Sequence, residues 1–277
     1  MVISVGTFNL NNLFSRFNFQ GNGSDVPGGG GITLEFDSED HFRARAFMGR
    51  LVRCKDPLDT DTIAERILSI NVDVLAVQEV EHIEVLNEFN RTYLNGLYDH
   101  VALIRGNDRR MIDLGVLSKL PLGSITSHQA AVHPDDPDQR VFSRDLFQVE
   151  ILNKTRSRKL FTLYNTHLKS HFVHFYEDAA AGIAKANQRR QRQAETVSRI
   201  ISAAERPDSA FILVGDMNDS PDSIYLQPMY EADNQPLFNA LQEPEETRPA
   251  KAEAHGQGPG PKTKAWTYRR NPLGPPL

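Results

Sequence analysis

Within Ala210 to Ser220, A-F-I-L-V-G-D-M-N-D-S, three side chains able to do chemistry fall inside four positions: Asp216, Asn218 and Asp219. A carboxylate at Asp216 can hold a cation or a water. The amide of Asn218, two residues on and on the same side, can donate a hydrogen bond to an oxyanion. The same residue types also suit an Asx-rich turn closing a hairpin, for purely local reasons. Five apolar residues run straight into Gly215, the pattern of a short buried strand. The polar group therefore stands where a rigid element ends, which is where sites are usually built.

Three further strand ends carry related chemistry. Val2 to Leu10 alternates apolar and small residues and delivers Asn9 at its end, although Asn9, Asn11 and Asn12 could equally form a turn. The run V-D-V-L-A-V-Q-E-V-E brings Gln78, Glu79 and Glu81 to the exit of a second buried strand, where a metal ligand would be placed. Glu81 itself reads as a solvated strand end. Leu160 to Thr166 is a third strand, finishing in N-T-H-L-K-S-H with His167, though a lone histidine is more often structural than catalytic. Brought together, these ends would supply carboxylates and amides for a hard, oxygen-seeking cation, plus an imidazole. That set suits metal-assisted phosphate-ester hydrolysis. The cation neutralises phosphoryl oxygens, a carboxylate or carboxylate–histidine pair activates water, and neutral donors hold the developing charge.

The elements that must position these groups follow from pattern. A helix is expected over Asp61–Ser69 behind an N-cap at Thr60, with Ile63, Ile67 and Ile70 on one stripe. A second helix spans Ile83–Asn95, with Ile83, Leu86 and Tyr93 inward. A third spans Asn187–Glu205, with Ala194, Val197, Ile201 and Ala204 buried and its arginines turned to solvent. Further strands are expected at Val101–Ile104, Asp113–Leu117 and Phe147–Leu152. The alternation is irregular, which suits an α+β design better than a regular parallel one. Residues 15–59 lose all periodicity. Their G-N-G-S-D-V-P-G-G-G-G neither follows a strand nor carries a P-loop Lys-Ser/Thr, so they read as a surface insertion beside the site. Residues 242–264, rich in Pro, Glu, Ala, Gly and Lys, read as a disordered loop, with order resuming at A-W-T-Y-R-R. No repeat or second core is evident, so residues 1–277 are expected to form one domain.

Composition narrows the class. Apolar residues make up 39% and charged residues 24% of 277 positions, as in an ordinary soluble domain. A net charge of −5 argues against tight nonspecific DNA binding. It does not argue against phosphate chemistry, which a local cluster such as Arg189, Arg190 and Arg192 can handle. Cys54 is the sole cysteine, so there is no internal disulfide and a reducing, cytoplasmic compartment is expected. No apolar run reaches bilayer length, and the start lacks the features of a signal peptide.

Six pieces occur in one order over Thr7 to Pro221: T-F-N-L-N-N-L-F, L-A-V-Q-E-V-E, G-N-D-R-R-M-I-D-L-G-V-L-S-K, F-S-R-D-L, N-T-H-L-K-S and V-G-D-M-N-D-S-P. Together they resemble the endonuclease/exonuclease/phosphatase superfamily, and within it a bacterial nuclease-like branch. The resemblance implies a four-layer α/β/β/α sandwich of two packed, mixed, mostly antiparallel sheets. It makes Glu79 the main Mg²⁺ or Mn²⁺ ligand, with Asn9 beside it and Asp216 sharing the cation. His167 would contact the scissile phosphate and stabilise the pentacovalent state. Asp216 would orient or activate the attacking water, and Asn218 would hold that water or a phosphate oxygen. Arg144, in F-S-R-D-L, would be a phosphate-side cation, although a surface salt bridge explains it nearly as well. Members continue past the W-T-Y-R segment into a strand bearing an Asp and a closing Ser-Asp-His. Neither motif occurs here, so the last strands and the base half of the machinery are expected to be missing. The implied activity is hydrolysis of phosphodiesters, DNA or RNA foremost, with no obligate protein partner. Phosphomonoester or sphingomyelinase-like hydrolysis on the same fold, or an inactive phosphate-binding scaffold, are the alternatives.

Overall fold

The computed structural model describes residues 2–14, 55–108, 110–173, 178–230 and 237–240. They fall into two compact units, each described by itself. The first comprises Met1–Ala130, Phe142–His167 and Ala210–Asp216 in its limits, the second Ala131–Val141, Leu168–Ser209 and Met217–Leu277.

In the first unit the chain runs β1 (Val5–Leu13), α1 (Pro57–Ile70), β2 (Val74–Val80), α2 (Ile83–Thr92), β3 (His100–Ile104), β4 (Asp113–Ser118) and β5 (Leu122–Ser127). The second unit contributes the short hairpin β6 (Val132–His133) and β7 (Asp136–Arg140). The first resumes with β8 (Leu146–Leu152) and β9 (Lys159–His167). Helix α3 (Ala179–Ala204) belongs to the second unit, β10 (Phe211–Asp216) to the first, and α4 (Gln227–Tyr230) to the second.

Two mixed four-stranded sheets form the first unit, in the orders β1-β2-β4-β3 and β10-β9-β8-β5. β1 pairs parallel to β2, and β10 parallel to β9, while the other pairings are antiparallel. Each parallel pair needs a helical crossover, and the intervening sequence supplies α1 and α3 respectively. β2 shows why an unbroken apolar run makes a central strand: its side chains alternate between two cores. Leu75 and Val77 join Leu10, Ile63, Ile67, Leu86 and Phe89 under α1 and α2. Val74 and Ala76 join Val116, Phe147, Val149 and Leu163 between the sheets. The expected α+β architecture with two packed mixed sheets is therefore present.

Several expectations need correction. Helix α1 starts at Pro57 behind an Asp56 cap whose side chain accepts the Leu58 N–H, so Thr60 lies inside the helix. Its start also claims the last three residues of the expected 15–59 insertion. Ile70 is half exposed because the helix ends there. Helix α3 begins eight residues before Asn187, under an Asp178 cap, and Ala204 is exposed at its last turn. Helix α2 stops at Thr92. Glu81 is 1% exposed and is not a solvated strand end. Strands β5, β6 and β7 add to the strands expected from pattern between Leu117 and Phe147. Residues 15–54 of the first insertion, the 242–264 loop and the A-W-T-Y-R-R segment lie outside the described residues. Among the described residues no helix is long and apolar enough to cross a membrane.

Candidate active site

In the first unit, four of the expected residues meet at matching strand ends. Parallel pairing puts Asn9 opposite Gln78, next to Glu79, and places Asp216 directly opposite His167. Both pairs end at the same edge of the sandwich. The Asn9 amide nitrogen donates to Glu79 Oε1 at 3.2 Å and to Asp216 Oδ2 at 2.9 Å, so one amide bridges two carboxylates from different sheets. His167 Nε2 faces the same oxygens, 3.9 Å from Glu79 and 3.8 Å from Asp216.

Local backbone features make this convergence. Glu79 sits on a β-bulge, where the register to β4 slips between Gln78 and Val80, with φ +63°. A left-handed backbone at a glutamate costs on the order of 1–2 kcal/mol, and such residues concentrate at functional sites. The bulge turns the Glu79 side chain to the strand end, where Asn12 N–H also holds its Oε2 at 3.0 Å. Asn11 and Asn12 are left-handed too, at φ 50° and 61°. Gly215 explains the glycine before Asp216: its φ is +140°, and a Cβ there would stand 1.9 Å from the Thr166 carbonyl oxygen.

Behind the site a buried polar tie joins the sheets. Gln78 Nε2 donates to Asn165 Oδ1 at 2.7 Å, and Asn165 Nδ2 donates to the carbonyls of Val77 and Gly115, each at 3.0 Å. Sequence reasoning passed over Asn165, although it lies two residues before His167 and hence on the same strand face.

Arg144 is buried at 3% exposure, which excludes the surface salt bridge. Its Nε lies 3.3 Å from Asp108 Oδ2, and Arg110 pairs with the same oxygen at 2.9 Å. Burial pulls the Arg144 pKa down against the opposing field of Asp108, with Arg110 adding to the drop and Glu79 and Asp216 resisting it. The Asp108 carboxyl, pushed up by burial, is nonetheless held below its ordinary range by its hydrogen bonds from Arg110 and the Arg144 charge. For His167, burial first, then Arg144 and Arg110, keep the pKa well below its usual value. Its imidazole is therefore neutral despite two nearby carboxylates. Nε2 faces the two carboxylates, and Nδ1 is buried without a hydrogen-bond partner. Lys55 donates to the Asn11 carbonyl at 2.8 Å, and its pKa is lowered by burial against the pull of Asp59 and Glu79. It fell inside the stretch read as an insertion, so no pattern pointed to it. Arg109 lies outside the described residues.

Asn218 belongs to the second unit, with φ 53° and its amide donating to the Leu168 carbonyl at 3.1 Å.

The donor set suits a hard cation. Two carboxylates present oxygens around a shared position, which Asn9 Nδ2 fills by donating to both, while Asn9 Oδ1 accepts the Asn11 N–H at 2.8 Å. Turning that amide over would offer a third oxygen. Among the described residues no three His, Cys, Asp or Glu side chains form a metal-holding group by themselves. One or two carboxylates completed by water and substrate phosphates is the usual arrangement for Mg²⁺.

The sequence profile of the Endonuclease/Exonuclease/phosphatase family matches residues 6–277. The chain belongs to that family. Its members are hydrolases of phosphoester bonds. No curated protein matches the chain. Among solved structures it is similar to a hairpin-deletion mutant of β-toxin from Staphylococcus aureus, 12% identical, TM-score 0.47, covering 83% of this chain and 72% of that one. A second is ANGEL2, a 2′,3′-cyclic phosphatase bound to adenosine-2′,3′-vanadate, 21% identical, TM-score 0.42, covering 61% and 46%. A third is a β-toxin double mutant from S. aureus with bound magnesium ions, 15% identical, TM-score 0.44, covering 62% and 61%. The chain thus spans less than two thirds of the length of the latter two structures.

Proposed function

We propose that the chain hydrolyses phosphodiester bonds with the help of Mg²⁺ or Mn²⁺, and that nucleic acid is its substrate class. The observation that carries this reading is the meeting of Glu79, Asp216, Asn9 and His167 within hydrogen-bonding or near-contact distance at one sandwich edge. Glu79 and Asp216 would hold the cation with Asn9 beside them, and when bound it neutralises phosphoryl oxygens. Asp216, the more exposed of the two carboxylates, orients the attacking water. His167 presents Nε2–H to a phosphoryl oxygen as charge gathers there, and Asn218, two residues beyond Asp216, holds the water or an oxygen. Arg144 supplies fixed positive charge on the phosphate side. It needs no ionisation change during the reaction, because a guanidinium stays protonated. Cationic surface for a phosphate backbone also lies in the second unit, where Arg140, Lys185, Arg189 and Arg192 line a cleft of about 210 Å³. The single cysteine fits work in a cytoplasmic compartment.

The test is a substrate panel: DNA, RNA, bis-p-nitrophenyl phosphate, p-nitrophenyl phosphate and sphingomyelin, with Mg²⁺, Mn²⁺ or EDTA. Diester turnover abolished by EDTA is expected, with His167→Ala lowering kcat by about 10²–10³-fold, the usual effect of losing one oxyanion donor. Turnover of the monoester alone would replace the diester reading. No turnover with any cation would leave the inactive scaffold.

A further inference from the structure

Helix α3 carries three arginines in four positions, and they end in different surroundings. Arg189 is exposed and Arg192 pairs with Asp136 at 3.0 Å, but Arg190 is 0% exposed. The expectation that all three face solvent fails at Arg190. Burying a guanidinium is strongly unfavourable unless its charge and its N–H groups are answered. Here they are, and the partners come from two loops and from α3 itself.

Arg190 Nε donates to Asp219 Oδ2 at 2.8 Å. One terminal nitrogen donates to the Lys169 carbonyl at 2.6 Å, and the other to Asn187 Oδ1 at 2.6 Å, with His171 Nδ1 at 3.4 Å. The Tyr225 ring lies 5.9 Å from the guanidinium carbon. Asp219 is itself locked: its Oδ1 accepts the Ser220 N–H at 3.0 Å and its Oδ2 the Ser223 hydroxyl at 2.8 Å. Two more bonds join the same stretches of the second unit. Asn218 donates to the Leu168 carbonyl at 3.1 Å, and Lys169 N–H donates to Gln193 of α3 at 2.8 Å. Arg190 is thus the hub between the segment that directly follows His167 in sequence and the segment that directly follows Asp216.

We propose that Arg190 is a positioning residue for the reaction, clamping the post-His167 and post-Asp216 segments together and thereby holding Asn218 in its left-handed conformation. This inference rests on the roles given above to His167, Asp216 and Asn218. The choice of arginine has a physical reason. Only a planar fork can reach a carboxylate, a backbone carbonyl and a side-chain amide at once in fixed directions, whereas a lysine ammonium has a different geometry and fewer donors. A purely structural buried ion pair would affect stability and leave turnover per folded molecule alone. A clamp on reacting groups would affect turnover in molecules that remain folded, since a displacement of about 1 Å can reduce rate by about 10²-fold.

The experiment uses the full 277-residue chain and two variants, Arg190→Lys and Asp219→Asn. Three quantities are read: melting temperature, kcat and KM on the diester that the wild type turns over best, and hydrogen exchange peptide by peptide. The expected result is a folded protein well below its melting point with kcat reduced by about 10²-fold and KM nearly unchanged, the signature of an interaction that matters in the transition state. Exchange should quicken over 168–173 and 217–226 and stay unchanged in the sheets. The double variant should be little worse than either single one, because both remove the same contact. Should Arg190→Lys not fold, Asp219→Asn carries the same comparison. A kcat within a few-fold of wild type in a folded variant overturns the proposal, as does unchanged exchange in the two segments or quickened exchange throughout the second unit. If the wild type turns over no substrate, the proposed function fails by itself, and exchange still decides whether the clamp exists.

Discussion

Replacing Asp145 by Asn should abolish a specific pH dependence of folding stability. Asp145 is 1% exposed; its Oδ1 accepts the His128 N–H at 2.7 Å and its Oδ2 has no hydrogen-bond partner. Burial, assisted by the Asp113 carboxylate, outweighs the hydrogen bonds from Ser127, His128 and Leu146 and pushes its pKa from 3.8 to about 6. Below the unfolded value the group is protonated in both states and carries no penalty. Between the two values the folded protein binds a proton that the unfolded chain does not, so stability falls as pH rises. Above the folded value both states are ionised and the penalty is complete. A shift of about two units at 1.36 kcal/mol each corresponds to about 3 kcal/mol. Urea unfolding from about pH 4 to about pH 7 should therefore show the wild type losing about 3 kcal/mol relative to Asp145→Asn. Comparing slopes removes whatever the new amide gains or loses, since that contribution does not titrate. Parallel pH profiles for the two proteins would refute the reasoning outright.

Glu79→Gln should weaken Mn²⁺ binding in calorimetry while leaving the melting temperature nearly unchanged. Affinity equal to wild type would remove Glu79 from the ligand set. Asn165→Ala removes an acceptor for Gln78 and one hydrogen bond from each of the carbonyls of Val77 and Gly115. With three buried hydrogen bonds lost at about 1 kcal/mol each, a loss of roughly 3 kcal/mol is expected in denaturant unfolding. A loss under about 1 kcal/mol would mean that water takes over those bonds.

The sequence made some of this legible and hid the rest for definable reasons. Runs such as F-I-L-V-G-D and V-L-A-V-Q-E give both the strand and the chemical group at its end, because a polar residue marks the exit of an unbroken apolar run. β2 is indeed buried on both faces, but β10, expected to be buried, is an edge strand with Ile212 36% exposed. Glu79, His167 and Asp216 were found this way, and Asn9 from the alternation of Val2 to Leu10. Glu81 was misread because a charge just past a strand end argued for solvent, whereas it is 1% exposed with its N–H donating to the Leu13 carbonyl at 3.2 Å. Arg190 was hidden by its charge. Ala186, Arg190, Gln193, Ala194, Val197 and Ile201 form one inward stripe, and the position was right even though the residue type argued for solvent. Arg144 lacked any regular element whose period could reveal burial. Asp113 heads a strand of one sheet and Asp145 immediately precedes a strand of the other, so they come together only through the packing of the two sheets, which no local pattern encodes.

Glu79 and His167 reach across from one sheet to the other, 3.9 Å apart. Two local polar links, the Asn9 bridge and the Gln78–Asn165 tie, hold that rim, and the thickness of the apolar filling beneath sets the gap they span. Ala76 and Val116 on one side and Phe147 and Leu163 on the other act as a spacer gauge for the polar rim. A methylene added or removed deep in that filling would open or close the catalytic gap without altering a single polar residue. Under the proposed function, turnover would then depend on side-chain volume, so two chains with identical site residues would work at different speeds because of what lies buried beneath them.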